Sequence, residues 1–350
     1  MKPNTDESAT DTIDHPRRGL GAGILLAFLL LAATGMGGVL LHSDRVLDFN
    51  DGNIESVLSP TYALPGAILR VWDNQFFFGQ GGKLYSLCSA SAGESLAGPH
   101  HYRRGFIALL LALAGGAVYW MLRQHRIPRT ASAIAAGAVM LGGTCYSFAV
   151  LGLAVRAGAL GFAALAAGFL ERGRRDDAWI PYALGGGCLG LAIAEVPDIG
   201  VFLALTTAAV WLWTHWPEAP AKAPWATMAG RFVLYVACSG LMAWQTIGVM
   251  FATQMEGVQQ GSAEDPAERY ALATQWSLPP EETWNLVSGT YFGTTSRSAD
   301  APYRGRMGRS PGWETTKQGF RNFSLTGHHL GVVPSILALA AIGVAVAGAR

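Results

Sequence analysis

Long apolar runs alternate with short polar turns along most of the chain, and two long polar segments interrupt this pattern. A helix needs about 20 consecutive apolar residues to cross the hydrocarbon core of a membrane. Eight runs approach or reach that length, and the fourth of them is short. They are residues 19–41, 105–122, 131–150, 157–170, 180–194, 199–213, 232–252 and 332–350. The pattern predicts an all-α polytopic membrane protein with about eight transmembrane helices.

Basic residues predict the orientation of these helices. They fall at alternate ends of successive runs, at positions 17–18, 123–129, 172–175 and 222–231. Because short loops rich in Lys and Arg stay in the cytoplasm, both termini are expected there. The chain then divides into a cytoplasmic tail (1–18), a bundle of seven spans (19–252), a large outer loop (253–331) and an eighth span (332–350). Another large extracytoplasmic loop, residues 42–104, follows the first span.

Composition agrees with a membrane protein and excludes several classes of function. Of the 350 residues, 51% are hydrophobic and only 14% are charged, whereas a soluble domain usually carries about 25% charge. The formal net charge of +1 gives no reason to expect a nucleic-acid partner. We find no P-loop, no dinucleotide fingerprint and no zinc-protease motif, so soluble ATP-driven or nicotinamide chemistry is not expected.

The second large loop contains a stretch that predicts local structure. Pro279 and Pro280 follow one another and end any element before them. Pro280 can open a short helix, with Glu281 and Glu282 in its first turn, where carboxylates suit the helix dipole. Trp276, just before, fits stacking on a sugar or an interfacial aromatic belt.

Charged residues near the predicted outer face are the candidates for chemistry. Arg304 and Arg306 belong to a basic cluster in the second loop that could bind phosphate or anionic lipid headgroups. Glu195 and Asp198 occupy the tight turn between spans five and six, and Arg156 is close to them in the predicted topology. They could bind substrate, or they could form an ion pair that only fixes packing.

Two aspartates follow the first span. Asp48 and Asp51 could bind a divalent cation or take a proton from a substrate hydroxyl. They could equally cap a short helix at the start of the loop. The residues alone leave both interpretations open.

Three stretches resemble the YfhO family of bacterial membrane proteins. The run Trp276–Glu282, followed by Tyr291-Phe292-Gly293, looks like the signature of the family's second loop. Residues 329–334 and residues 72–79 support the resemblance. That family is similar to the GT-C superfamily of glycosyltransferases, which take a sugar from a polyprenyl-phosphate donor at the outer face.

The resemblance implies a GT-C-like fold in the bacterial inner membrane and transfer of a sugar from a polyprenyl-phosphate donor to a cell-envelope acceptor. It implies Asp51, or Asp48, as the general base or a ligand of Mg²⁺ or Mn²⁺. Substrate contacts are expected from Arg156, Glu195, Asp198, Trp276, Glu281, Glu282, Arg304 and Arg306. Membrane lipids are the other expected partners.

Two other functions remain open at this point. In a transporter or flippase for a lipid-linked or anionic solute, Arg156, Glu195 and Asp198 would line a path through the bundle. A non-catalytic membrane scaffold is the third hypothesis, because members of the family are usually much longer than this chain.

Overall fold

A computed structural model describes most of the chain between residues 88 and 348, and all of the secondary structure in the described part is helical. The described residues are 23, 27, 30, 88–150, 153–215, 225–250, 270, 274, 277–288, 291–293, 303–310, 312–317 and 332–348. The all-α prediction is confirmed for these residues.

The helices follow one another with short connections through the middle of the chain. In chain order they are α1 (Ser89–Ala97), α2 (Pro99–Gln124), α3 (Arg129–Leu141), α4 (Gly143–Val150), α5 (Val155–Asp176), α6 (Ile180–Glu195), α7 (Pro197–His215), α8 (Trp225–Met250), a 3₁₀ helix (Pro280–Leu286), α9 (Trp313–Thr316) and α10 (Val332–Gly348).

Among the residues that the structure describes, two helices are long and apolar enough to cross a membrane. They are the segments Gly105–Gln124 of α2 and Trp225–Gly248 of α8. Several other apolar helices are shorter, including α3, α6 and most of α7. The structure thus supports the coarse expectation of a helical protein with membrane-length helices, while the number of spans stays a prediction.

Helix α5 extends to Asp176, beyond the predicted end of the fourth span at Leu170, and the helix boundaries differ from the predicted spans in three further places. Helix α2 begins at Pro99, inside the predicted first loop, and α8 begins at Trp225, before the predicted start at Phe232. The predicted third span is two helices, α3 and α4, because Gly142 between them adopts an extended conformation with ψ of 145°. The first span lies outside the described residues except for positions 23, 27 and 30.

Helix α6 lies at the centre of the described bundle. It packs most extensively against α5 and α8, while α2 packs against α5 and α3. The fully buried side chains of Ile107, Leu110 and Leu111 from α2 form one core with residues of α3 to α5. A second core, around Tyr182 and Tyr235, joins α5, α6, α7 and α8.

Contacts between helix ends bring basic residues together at one end of the bundle. Arg175, near the end of α5, donates a hydrogen bond of 3.0 Å to the side chain of Gln124 at the end of α2. Arg231, near the start of α8, donates one of 2.6 Å to Asp177, directly after α5. The ends of α2 and α5 and the start of α8, which the sequence assigns to the cytoplasm, therefore adjoin one another.

Candidate functional site

The described part of the second large loop forms a small folded unit, which we call the loop cluster (residues 277–288, 303–310 and 312–317). Its first element is the 3₁₀ helix, which begins at Pro280 as predicted. The backbone N–H of Glu282 donates a 2.9 Å hydrogen bond to the carbonyl of Pro279. The proline pair thus fixes the start of the helix and places Glu281 and Glu282 in its first turn.

Glu282 is the centre of the loop cluster. Its side chain is fully buried, and its carboxylate accepts hydrogen bonds from the backbone N–H groups of Arg306 (2.7 Å) and Met307 (3.1 Å). It also accepts one from the hydroxyl of Tyr303. Three donors satisfy a buried carboxylate whose desolvation would otherwise be costly. Glu282 was predicted to bind substrate, but its oxygens already have partners within the protein.

Tyr303 and Gly305 complete the surroundings of this carboxylate. Tyr303 is itself buried, and burial, followed by the hydrogen bond to Glu282, raises the pKa of its hydroxyl above the ordinary value. The hydroxyl therefore keeps its proton and its role as a donor at physiological pH. A Cβ on Gly305 would meet the Tyr303 hydroxyl and the Glu282 carboxylate. The position leaves no room for a side chain.

Glu281, one residue earlier, has a very different environment. It is exposed and forms an ion pair with Arg306, whose Nη2 lies 3.3 Å from one carboxylate oxygen. A hydrogen bond from its own backbone N–H, and then the bond from Arg306, lower the pKa of Glu281. The two adjacent acids therefore hold Arg306 in two ways. Glu282 binds the main chain of Arg306, and Glu281 binds the side chain of Arg306.

A cleft of about 580 Å³ opens on the loop cluster. Its lining consists of Thr274, Ser277, Leu278, Pro279, Pro280, Arg306, Arg309, Ser310, Gly312 and Trp313. Among these described lining residues there are two arginines and no carboxylate. The volume lies in the range typical of small-molecule sites, and the arginines favour an anionic ligand.

Arg309 is ordered by its neighbours. Its Nη2 donates a hydrogen bond to the carbonyl of Gly305, and its guanidinium lies 5.7 Å from the ring centre of Trp313. The ammonium group of Lys317 lies 4.3 Å from the same ring. The indole of Trp313 therefore contacts two cations beside the cleft. Such cation–π contacts contribute about 0.5–1 kcal/mol each at exposed sites.

Of the other predicted site residues, Glu195 has the clearest partner. The backbone N–H and the hydroxyl of Ser89 both donate to its carboxylate, the hydroxyl at 2.8 Å. This contact joins the last residue of α6 to the first residue of α1, which belongs to the predicted first outer loop. Asp198 is exposed in the first turn of α7, and Arg156 is half-buried in the first turn of α5.

The remaining predictions for the site fall on other parts of the chain. Arg304 is exposed in the loop cluster, and its backbone N–H donates to the carbonyl of Phe292. Asp48, Asp51 and Trp276 lie outside the described residues. Within the described part of the chain, no group of three or more His, Cys, Asp or Glu residues could hold a metal ion. The expected divalent cation therefore stays a prediction.

Sequence reasoning missed the partners of Glu195 and Glu282. Ser89 and Glu195 are 106 residues apart, and Glu282 lies 21 to 25 residues before its donors. A local sequence pattern cannot predict contacts between residues so far apart in the chain. Gly305 was an available signal, because glycine is favoured where another group approaches the backbone closely.

No family model matches the chain, and comparisons with curated proteins and with solved structures give no match either.

Proposed function

We propose that this protein is a GT-C-like membrane glycosyltransferase, which moves a sugar from a polyprenyl-phosphate donor to an acceptor of the bacterial cell envelope. The observation that carries the proposal is the cleft of the loop cluster. Its described lining combines two arginines with hydroxyl groups and an apolar wall, and a lipid-linked sugar phosphate offers a matching partner for each.

The membrane location is supported by apolar side chains that the bundle leaves uncovered. Trp213 of α7 is 83% exposed, and Leu241 and Trp244 of α8 are 77% and 75% exposed. A helix with the length of α8 could also be the core helix of a soluble protein, but such a helix would be mostly buried. Lipid is the surrounding that makes this exposure favourable.

Helix α10 adds a second argument for lipid. It contains no charged residue, and Ile336, Leu339, Ile342 and Val344 are all exposed. These positions lie on different faces of the helix, since successive residues are 100° apart. A helix that is apolar on all sides is expected inside a protein core or inside a membrane.

In the proposed reaction the acceptor hydroxyl attacks the anomeric carbon of the donor sugar. The new C–O bond forms as the bond to the phosphate oxygen breaks, and the phosphate leaves with the bonding electrons. Asp51 would take the hydroxyl proton. Arg309 and Arg306 would neutralise the leaving phosphate through charge-assisted hydrogen bonds. Asp51 or Asp48 is the predicted ligand of a divalent cation, which would supply further positive charge to the leaving group.

The first test is the binding of a polyprenyl-phosphate hexose to purified protein in detergent, with and without Mg²⁺ or Mn²⁺. The matching polyprenol, which lacks phosphate and sugar, is the reference ligand. We expect saturable binding that depends on the phosphate. Arg309→Gln should weaken it about tenfold or more, since hydrogen bonds to charged groups contribute about 1.5–3 kcal/mol.

Three further variants make this test specific. Arg172→Gln changes an exposed arginine of α5 and should bind like the wild type. Arg306→Gln should weaken binding less than Arg309→Gln, because Glu281 already competes for Arg306. Asp51→Asn should bind the donor but transfer nothing. Equal affinity for the two lipids, or full transfer by Asp51→Asn, would contradict the proposal.

A further inference from the structure

Glu282 connects two chain segments that both line the cleft. The 3₁₀ helix that carries it contributes Pro280 to the lining, and the segment 306–309 contributes Arg306 and Arg309. The carboxylate of Glu282 accepts hydrogen bonds from the backbone N–H groups of Arg306 and Met307, in that second segment. One buried side chain therefore joins two segments of the lining.

The hydrogen bonds of Glu282 also restrict how the arginines can point. The backbone N–H of Arg309 donates to the carbonyl of Arg306 at 3.1 Å, which makes residues 306–309 a closed turn. Since Glu282 fixes the main chain at the start of this turn, it fixes the direction in which both arginine side chains leave it. Gly305, with no room for a Cβ, keeps the same segment against the carboxylate.

We infer that Glu282 is a positioning residue, which acts through Arg306 and Arg309 to give the cleft its preference for a phosphate group. The inference rests on the proposed function, since it assumes that the cleft binds phosphate. It assigns different roles to the adjacent acids. Glu282 supports binding indirectly, because it holds the backbone of Arg306 and Met307, whereas Glu281 competes with the ligand for the side chain of Arg306.

The matched variants for this inference are Glu282→Gln and Glu281→Gln, which make the same chemical change in adjacent residues of one helix. The readout is the ratio of the affinities for a polyprenyl monophosphate and for the corresponding polyprenol. We expect Glu282→Gln to lower this ratio about tenfold, because hydrogen bonds to a carboxylate are about twice as strong as neutral ones. Glu281→Gln should leave the ratio unchanged or raise it.

A milder variant is needed because the loop cluster could lose its fold in Glu282→Gln. Tyr303→Phe removes one of the three donors and keeps the aromatic packing. We expect it to lower the ratio about fivefold, which corresponds to one hydrogen bond of about 1 kcal/mol. The affinity for the polyprenol should stay the same in all three variants, since it does not depend on the direction of the guanidinium groups.

The outcomes separate this inference from the proposed function. A wild-type protein that shows no preference for phosphate would overturn both. A wild type that prefers phosphate, with the same ratio in Glu282→Gln and Tyr303→Phe, would overturn only the role of Glu282. Equal losses of affinity for both lipids would show a structural role alone, and would also overturn the inference.

Discussion

Helices α6 and α8 pack so closely that adding one methyl group to a glycine of α6 should disturb their contact. Gly186 and Gly190 are one helical turn apart on α6 and face α8. A Cβ on Gly190 would lie 2.5 Å from the Cβ of Met242 and 2.5 Å from the carbonyl oxygen of Ser239, and a Cβ on Gly186 would meet the carbonyl oxygen of Tyr235. Small residues at this spacing let helix backbones approach, especially in membranes.

Gly190→Ala should therefore destabilise the bundle. Carbon atoms in ordinary contact are about 3.5–4.0 Å apart, so the helices must separate by roughly 1 Å to accept the methyl group. Overpacking of this kind usually costs about 1–3 kcal/mol. The substitution also replaces glycine within a helix, which by itself favours alanine by about 1 kcal/mol.

Gly187→Ala is the control that isolates the contact. It lies on the same helix, and its Cβ would meet no atom within 4 Å. It should be neutral or slightly stabilising. Because the gain in helix propensity is the same for both variants, they should differ by the overpacking cost alone, about 1–3 kcal/mol. The measurement is the free energy of unfolding of the two variants in the same detergent, with circular dichroism as the probe of helix content. If Gly190→Ala is as stable as Gly187→Ala, the two helices are not in the close contact described here.

Two further predictions concern charged groups. Arg231 is buried and lies within 5.6 Å of the ring centres of Trp179 and Tyr182, so Arg231→Lys should cost about 1–3 kcal/mol of stability through lost stacking and hydrogen bonding. Arg172→Lys, in an exposed pair, is the control in the same unfolding assay, and equal effects would contradict the stacking argument. The lowered pKa of Glu281 means that its carboxylate contributes stability above the ordinary pKa of about 4.3, and that this contribution is lost as the pH falls through the lowered value. The stability difference between wild type and Glu281→Gln should therefore be constant above about pH 5 and vanish in more acid solution; a difference that persists there would refute the assignment.

Within the described residues, the apolar runs predicted where the long helices occur but not where they end. Helix α8 begins seven residues before the predicted span, and α2 begins at Pro99 within the predicted loop. A run of apolar residues marks the part of a helix that can lie in hydrocarbon, whereas its ends depend on capping and on proline. Pro99, at the first position of α2, is a favourable start that hydropathy does not detect.

The break between α3 and α4 could not be predicted from hydropathy. Residues 131–150 form a continuous apolar run, and a glycine within such a run is common in packed membrane helices. Only the backbone conformation shows that Gly142 ends α3. In contrast, the start at Pro280 was predictable, because two adjacent prolines restrict the backbone on their own.

The adjacent acids show how far a sequence can specify a site. Glu281 and Glu282 are chemically identical, and the sequence assigned both of them to substrate binding. Consecutive residues of a 3₁₀ helix point about 120° apart, so one faces solvent and the other faces the interior of the loop cluster. Which of the two is buried depends on Tyr303 and on the backbone of residues 306–307, more than 20 residues away. Arg306 is thereby held at its main chain and at its side chain. Arg309 lines the same cleft, and its guanidinium donates to the carbonyl of Gly305 and lies against the ring of Trp313. Because the guanidinium of Arg306 is already paired with Glu281, Arg309 is the better probe of phosphate binding.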